Sequence, residues 1–304
     1  MTDWAPEKVK TLDRAYSAGE ITKPRELIDV VSPMGLSLQA RKVYNLLLES
    51  AHGRLGEADA EHEIPLSKLR GVHKGNERID KILNQLMSTI ITIRIHGTTG
   101  RRGLRKVQLL GGNEMVEEDV NDNAGVFRYS FDPKLIAVLL ESRIYAQLKK
   151  AVIFAFESKF SLVLYEVLER RRNLKHITNE VIPLQEFRVL LDVDPDVYPR
   201  FAQLNQKVIK VAQAEVNHLC DFSVSIEPVK TGRKVTALRL SWWMKSAEEK
   251  KAAQAEVKRS RIGRKSRREA TVEDIAEYRS RLRADIERAG KPPAIPGLED
   301  EIVY

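Results

Sequence analysis

Residues 182–188 read IPLQEFR, and residues 64–70 read IPLSKLR, nearly the same phrase 118 positions earlier. A match this short arises by chance, so the flanking sequence decides whether it marks a duplication. Upstream of the first copy, SLQARKVYNLLLES (37–50) is a helix behind a Ser37 cap, with Leu38, Val43, Tyr44, Leu46 and Leu47 on its apolar face. Upstream of the second, SKFSLVLYEVLERR (158–171) aligns Tyr165, Val167 and Leu168 with Tyr44, Leu46 and Leu47 at one constant offset. Within the phrase, Ile64, Pro65, Leu66, Leu69 and Arg70 match Ile182, Pro183, Leu184, Phe187 and Arg188. Each copy predicts a short strand ending at proline and then a brief helix, because proline is tolerated at strand ends and in a first helical turn.

A longer helix follows in both copies. In GNERIDKILNQLMST (75–89), Asn76 can cap the helix while Ile79, Ile82 and Leu86 line one face. In YPRFAQLNQKVIKVAQAEVNHL (198–219), Pro199 suits the start, and Phe201, Leu204, Val208 and Val211 repeat that spacing. Both helices run into strand-like segments, ITIRIHG (91–97) and FSVSIEP (222–228). A basic, glycine-bearing turn then leads to GLRKVQLL (103–110) and GRKVTALRL (232–240), which predicts a hairpin in each copy. Helix, strand, helix, helix, hairpin is the order of a winged helix. The fold class that follows is α+β, with two tandem winged-helix domains joined by a helical connector and a basic helical C-terminal extension.

The expected boundaries are a partly ordered segment over 1–35, a first winged helix over 36–131, a connector over 132–157, a second winged helix over 158–244, and an extension with a flexible tail over 245–304. The connector reads as a strand and then mostly apolar helix starting near Asp132 and Pro133, which would hold the modules in a fairly fixed relation.

At 304 residues the chain can bury two cores, and its 42% hydrophobic and 31% charged composition is that of a soluble globular protein. No apolar stretch approaches membrane-spanning length and the first residues lack a secretory core, so a cytosolic location is expected. Cys220 is the only cysteine, which excludes an intrachain disulfide and a cysteine zinc cluster. The formal net charge of +8 suggests a polyanionic partner without choosing one. Much of it lies late: KRSRIGRKSRR (258–268) carries seven basic residues in eleven and reads as a phosphate-binding arm or as a solubilising segment.

A winged helix offers its second helix to the DNA major groove. In the second copy Gln203, Gln206, Lys210, Gln213 and Asn217 fall at steps of three and four, an acid-free stripe with Arg200 and Lys207 at its margin and Glu215 towards the other side. Gln and Asn pair with adenine edges, while Arg and Lys suit guanine or phosphate. In the first copy Lys74, Arg78, Lys81 and Gln85 make the equivalent stripe, and the capping Asn76 is counted with them. Wing residues Arg101, Arg102, Arg105 and Lys106, with Arg233 and Lys234, suit phosphate contacts, which supply affinity and register without reading sequence. Ordinary exposed helix faces and solubilising hairpin tips are the plain alternatives.

Other features point away from catalysis. GTTGRRG (97–103) lacks the ending of a phosphate-binding P-loop and reads as a turn. The six histidines (52, 62, 73, 96, 176 and 218) show no paired metal spacing, and Tyr44 and Tyr165 sit at core positions of their helices. Trp242 and Trp243 are expected in core packing or a domain contact.

LSLQARKVYNLLL, YSFDPKLIAVLL, SKFSLVLYEVLERR with its Ser-x-x-x-x-x-x-Tyr-Glu element, LQEFRVLLDV, LNQKVIKVAQAEVN and the later GRKV together resemble plasmid replication initiators, the iteron-binding Rep proteins with two tandem winged-helix domains. The resemblance runs from about Leu27 to Trp242. It implies a non-enzymatic initiator, without cofactor or metal, that binds repeated double-stranded origin DNA as a monomer, helps melt the adjacent duplex and recruits host initiator and helicase proteins. It also implies repression of its own gene as a homodimer in equilibrium with the monomer, largely through the first module. Specific readout would fall mainly to Arg200, Gln203, Gln206, Lys207 and Lys210, with Lys74, Arg78 and Lys81 serving the first module. The roughly 60 residues after Trp243 have no counterpart in that pattern. A transcriptional regulator of the same fold and a DNA-cutting enzyme are the rival readings.

Overall fold

The structure is a computed structural model describing residues 17–30, 35–57, 60–71, 79–96, 102–115, 125–172, 178–194 and 196–270. The duplication is visible in it. Helix α1 (Leu38–Ala51) and helix α6 (Lys159–Arg172) have 14 residues each and start at the same offset that aligns Tyr44 with Tyr165. The Ser37 hydroxyl accepts from Ala40 N, as the predicted cap requires. Strand β2 (His62–Pro65) runs into α2 (Leu66–Gly71), and β8 (Asn179–Pro183) runs into α7 (Leu184–Leu190), each crossing from strand to helix at the proline.

The second module closes as a winged helix should. Its reading helix runs from α8 (Phe201–Leu204) through to α9 (Lys210–Leu219), and β9 (Phe222–Thr231) and β10 (Lys234–Met244) form the wing hairpin. The sheet order is β8-β10-β9. Gly232, with φ of 62°, opens the two-residue turn between Thr231 and Lys234. Positive φ at the first turn position suits the twist of a tight hairpin and favours glycine.

The first module departs from the symmetric picture. Its helix α3 (Ile79–Ser88) buries Ile79, Ile82 and Leu86 as the spacing predicts, and Leu83 beside them, and β3 (Ile90–His96) pairs with β4 (Arg102–Gln108). Strand β2, however, pairs with β6 (Val126–Tyr129), which also carries β5 (Asn113–Met115), so the wing hairpin stands as a separate two-stranded sheet.

The connector also differs from the expected continuous helix. Asp132 caps α4 (Pro133–Glu141), but the chain then forms β7 (Tyr145–Lys149) before the short α5 (Lys150–Ala155). Tyr145, Gln147 and Lys149 alternate with fully buried Ala146 and Leu148, the period of a half-buried strand. Its partner is β1 (Glu20–Pro24), drawn from the segment expected to be only partly ordered.

Two cores result. One gathers Leu27, Leu36, α1, α3, the β2 and β6 residues Ile64, Phe127 and Tyr129, and α4. The other takes Ile21 and Ile28, the β7 residues, α5, α6 and the whole second winged helix. The N-terminal strand thus belongs, by packing, to the second core. Trp242 is buried there, whereas Trp243, expected inside, is 46% exposed because the strand alternates. After β10, Ser246 and Glu249 form a capping box on α10 (Ala247–Lys258), which packs on the reading helix and α5. A second compact unit begins at Ser260; in it Arg267 donates to the Ser260 and Ile262 carbonyls. No helix among the described residues is long and apolar enough to cross a membrane.

Candidate nucleic-acid interface

The reading helix of the second module is not a uniform α-helix. Residues Phe201–Leu204 are α-helical, Asn205–Ile209 make a π turn, and Lys210–Leu219 are α-helical again. A π turn takes one residue more than an α turn, and one residue corresponds to roughly 100° of rotation about the axis. The side chains after it are therefore turned relative to the regular α-helix assumed from the spacing.

This rotation splits the predicted stripe. Arg200, Gln203, Gln206, Lys207 and Lys210 are exposed. Gln213 and Asn217 are half-buried and committed to the module's own sheet. Gln213 Oε1 accepts from Ile226 N (3.0 Å), while Asn217 Oδ1 accepts from Val224 N (2.7 Å) and its amide donates to Val224 O (3.0 Å). They are corrected from reading residues to clamps that hold β9 against the helix. Asn217→Ala should cost about 1–3 kcal/mol of folding stability, because two buried backbone groups lose their partner. Urea denaturation checks it, and the ranking of DNA sequences bound should stay the same.

Glu215, the acid on this helix, is buried and accepts from Glu157 N (3.0 Å) and Ser158 N (3.2 Å) at the start of α6. A carboxylate there meets unpaired backbone donors and the positive end of the helix dipole. The exposed first half of the reading helix thus carries amides and cations with no acid among them.

The turn before this helix is held by Arg188, the last residue of the repeated phrase. Its guanidinium donates to the carbonyls of Tyr198 (3.0 Å), Asp194 (3.0 Å) and Val197 (2.6 Å). Five donors fixed on a rigid plane hold three carbonyls of one turn in a set geometry, which the single, freely rotating ammonium of lysine does not impose. The arginine was legible as part of a repeat, but its task was not.

In the first module Lys81 is exposed on α3. Gln85, predicted beside it, is half-buried: its Oε1 accepts from Ser37 N (3.3 Å) and its amide donates to Gly35 O (3.1 Å). Arg105 and Lys106 face opposite sides of β4. Lys106 is exposed, and Arg105 lies on the side of buried Val107 with Nη1 donating to Lys134 O (3.2 Å). Strand alternation separates the two, so Arg105 ties the hairpin to α4. Arg233 and Lys234 are exposed at the tip of the second wing. Lys74, Asn76, Arg78, Arg101 and the side chain of Arg102 lie outside the described residues.

This geometry accords with two family models. Residues 20–169 match the model described as Initiator Replication protein, WH1, and residues 183–242 match Initiator Rep protein, WH2. Between them they account for more than two thirds of the chain. The chain belongs to the initiator Rep protein family. A crystal structure of the Pi initiator protein in complex with iteron DNA is similar in fold, with 17% identity, a TM-score of 0.52, and coverage of 76% of this chain and 100% of that one. A structure of domains 2 and 3 of RctB matches at 10% identity and a TM-score of 0.37 over 68% of this chain and 82% of that one, too distant to bear on the fold. A comparison with curated proteins gave no match. In this initiator Rep protein both family models end before α10 begins, so the extension is an addition to the shared core.

Proposed function

We propose that this initiator Rep protein binds repeated origin DNA of a plasmid, laying the exposed half of the second reading helix in the major groove while α3 of the first module serves a neighbouring segment. The observation that carries this reading is the segregation of charge on the second helix. Arg200, Gln203, Gln206, Lys207 and Lys210 face outward with no acid between residues 200 and 210, and the acid that follows on the same helix, Glu215, is turned inward onto α6. A generic solvated face mixes both signs; this one matches the donor and acceptor demands of base edges and phosphates.

Binding of this kind would act non-enzymatically and without a cofactor, in the cytoplasm. It would favour melting of adjacent duplex and recruit host initiator and helicase proteins. A homodimer, formed largely through the first module, would repress the gene and limit copy number. The test is replication itself. A plasmid carrying only this gene and its upstream DNA should be maintained in a suitable host, and loss from every host tried would leave a transcriptional regulator as the better reading. Purified protein should leave supercoiled DNA uncut in Mg²⁺ or Mn²⁺.

The wing makes a separate expectation. Arg233→Ala with Lys234→Ala should weaken binding to all duplexes alike. It should also lower the slope of log affinity against log salt by roughly one for each phosphate that is no longer neutralised. Titration at several salt concentrations measures it.

A further inference from the structure

One face of α1 is polar yet buried. Arg41, Lys42, Asn45 and Glu49 follow at steps of one, three and four, and each reaches a group packed with the second core. The Arg41 guanidinium sits 2.8 Å from Asp192 Oδ2. Lys42 Nζ donates to the carbonyls of Phe154 (3.2 Å) and Phe156 (2.7 Å). Asn45 donates to Glu166 (3.0 Å), and Glu49 accepts from Lys150 (2.6 Å).

Asp192 is where this joint meets the DNA-facing elements. Its Oδ1 accepts from Gly35 N (2.8 Å) in the first module, and its Oδ2 faces Arg41 from the first module and Lys159 Nζ (3.4 Å) from the second. Its backbone is left-handed, with φ of 57°, which aspartate tolerates better than most residues. Burial alone would raise its carboxyl, but Arg41 and then Lys159 hold it below the usual carboxylate range.

From this carboxylate a bonded path runs in both directions. Gly35, whose N–H binds Asp192, accepts at its own carbonyl from Gln85 on α3, the reading helix of the first module. On the other side Val193 N donates to Arg188 O, and the Arg188 side chain holds the turn that starts the second reading helix. Both reading helices are tied to one buried carboxylate.

We propose that Asp192, acting with Arg41 and Gln85, is a positioning residue that fixes the separation and angular phase of the two reading helices, and so selects the spacing between the two DNA segments they contact. This rests on the two-headed binding proposed above. Buried ion pairs often add little stability over a packed apolar contact, but they can enforce one arrangement over others. Each inserted base pair moves one segment by about 3.4 Å and turns it by roughly 35°, a displacement a fixed joint cannot follow.

The test uses the full chain and duplexes with one origin repeat, in which one or two base pairs are inserted between the segments protected by the two modules. The unaltered protein should bind the inserted duplexes on the order of tenfold or more weakly. Asp192→Asn should narrow that ratio to within about threefold, as should Gln85→Met, which keeps the volume and removes the link to Gly35. A merely destabilised protein would bind every duplex less while keeping the ratio; an unchanged ratio in both variants overturns the proposal. Spin labels at Glu57→Cys and Glu227→Cys, one on each module with Cys220 buried, give a readout without DNA. The distance distribution should be narrow and should broaden with Asp192→Asn or Gln85→Met; equal widths also overturn the proposal. If the unaltered protein shows a narrow distance but no spacing preference, the two-headed reading fails and the joint stands.

Discussion

Glu166→Ala should destabilise the protein by about 3–5 kcal/mol, the usual cost of stripping one partner from a buried charge pair. The Glu166 carboxylate accepts from Lys23 Nζ (2.8 Å) and from the Asn45 amide (3.0 Å), and the side chains of Lys23 and Glu166 are 3% and 2% exposed. The substitution leaves an ammonium and an amide in a dry joint without the carboxylate they share. Burial already lowers the pKa of Lys23, and Glu166 opposes that fall.

The pH dependence follows from the sign. Without Glu166 the folded state favours neutral lysine still more, so the unfolded chain binds the extra proton and stability rises with pH in the window below the ordinary lysine value. The deficit of the variant, read from urea midpoints, should therefore shrink between pH 7 and about 10. Lys23→Met with Glu166→Leu should recover most of the loss, since neither charge then needs a partner. A single variant that loses less than about 1 kcal/mol at pH 7 would mean the joint is wetter than the 2.8 Å pair implies.

Gln206→Ala and Lys210→Ala are each expected to cost about 1–3 kcal/mol in binding to origin repeats, because a bidentate or charged contact to a base edge is worth that much. Combined, they should lower affinity on the order of a hundredfold while competitor DNA is bound almost as before, so that discrimination falls. Both side chains are exposed and neither supports the core, so stability should hold within about 0.5 kcal/mol. Competition titrations against scrambled duplex give the discrimination directly. Unchanged discrimination would place the groove-facing surface of this module elsewhere.

The repeat made much of the fold legible. Tyr44 and Tyr165, Ile64 and Ile182, and Leu69 and Phe187 are buried pairs in matching elements, and their spacing alone placed them there. The candidate interface was legible in part. Gln206, Lys207 and Lys210 are exposed where periodicity put them, but Gln213 and Asn217 are not, because a π turn intervenes that no residue type announces. Arg105 and Trp243 were misjudged for a simpler reason. Strand alternation, applied residue by residue from Val107 and Trp242, assigns each to the opposite side from the one expected.

What the sequence determined by itself was local order: which segments are helix or strand, where they start, and that the set occurs twice. Such choices depend on residues a few positions apart, through caps, proline and hydrophobic period. What only the tertiary structure decided was the fate of the polar residues on α1 and the pairing of β1 with β7. Arg41, Lys42 and Asn45 are buried by partners that no local pattern reveals, because Asp192, the Phe154 and Phe156 carbonyls and Glu166 lie more than a hundred positions away. Burying a charge is favourable only when its counter-charge arrives with it, and that arrival is a property of the folded chain.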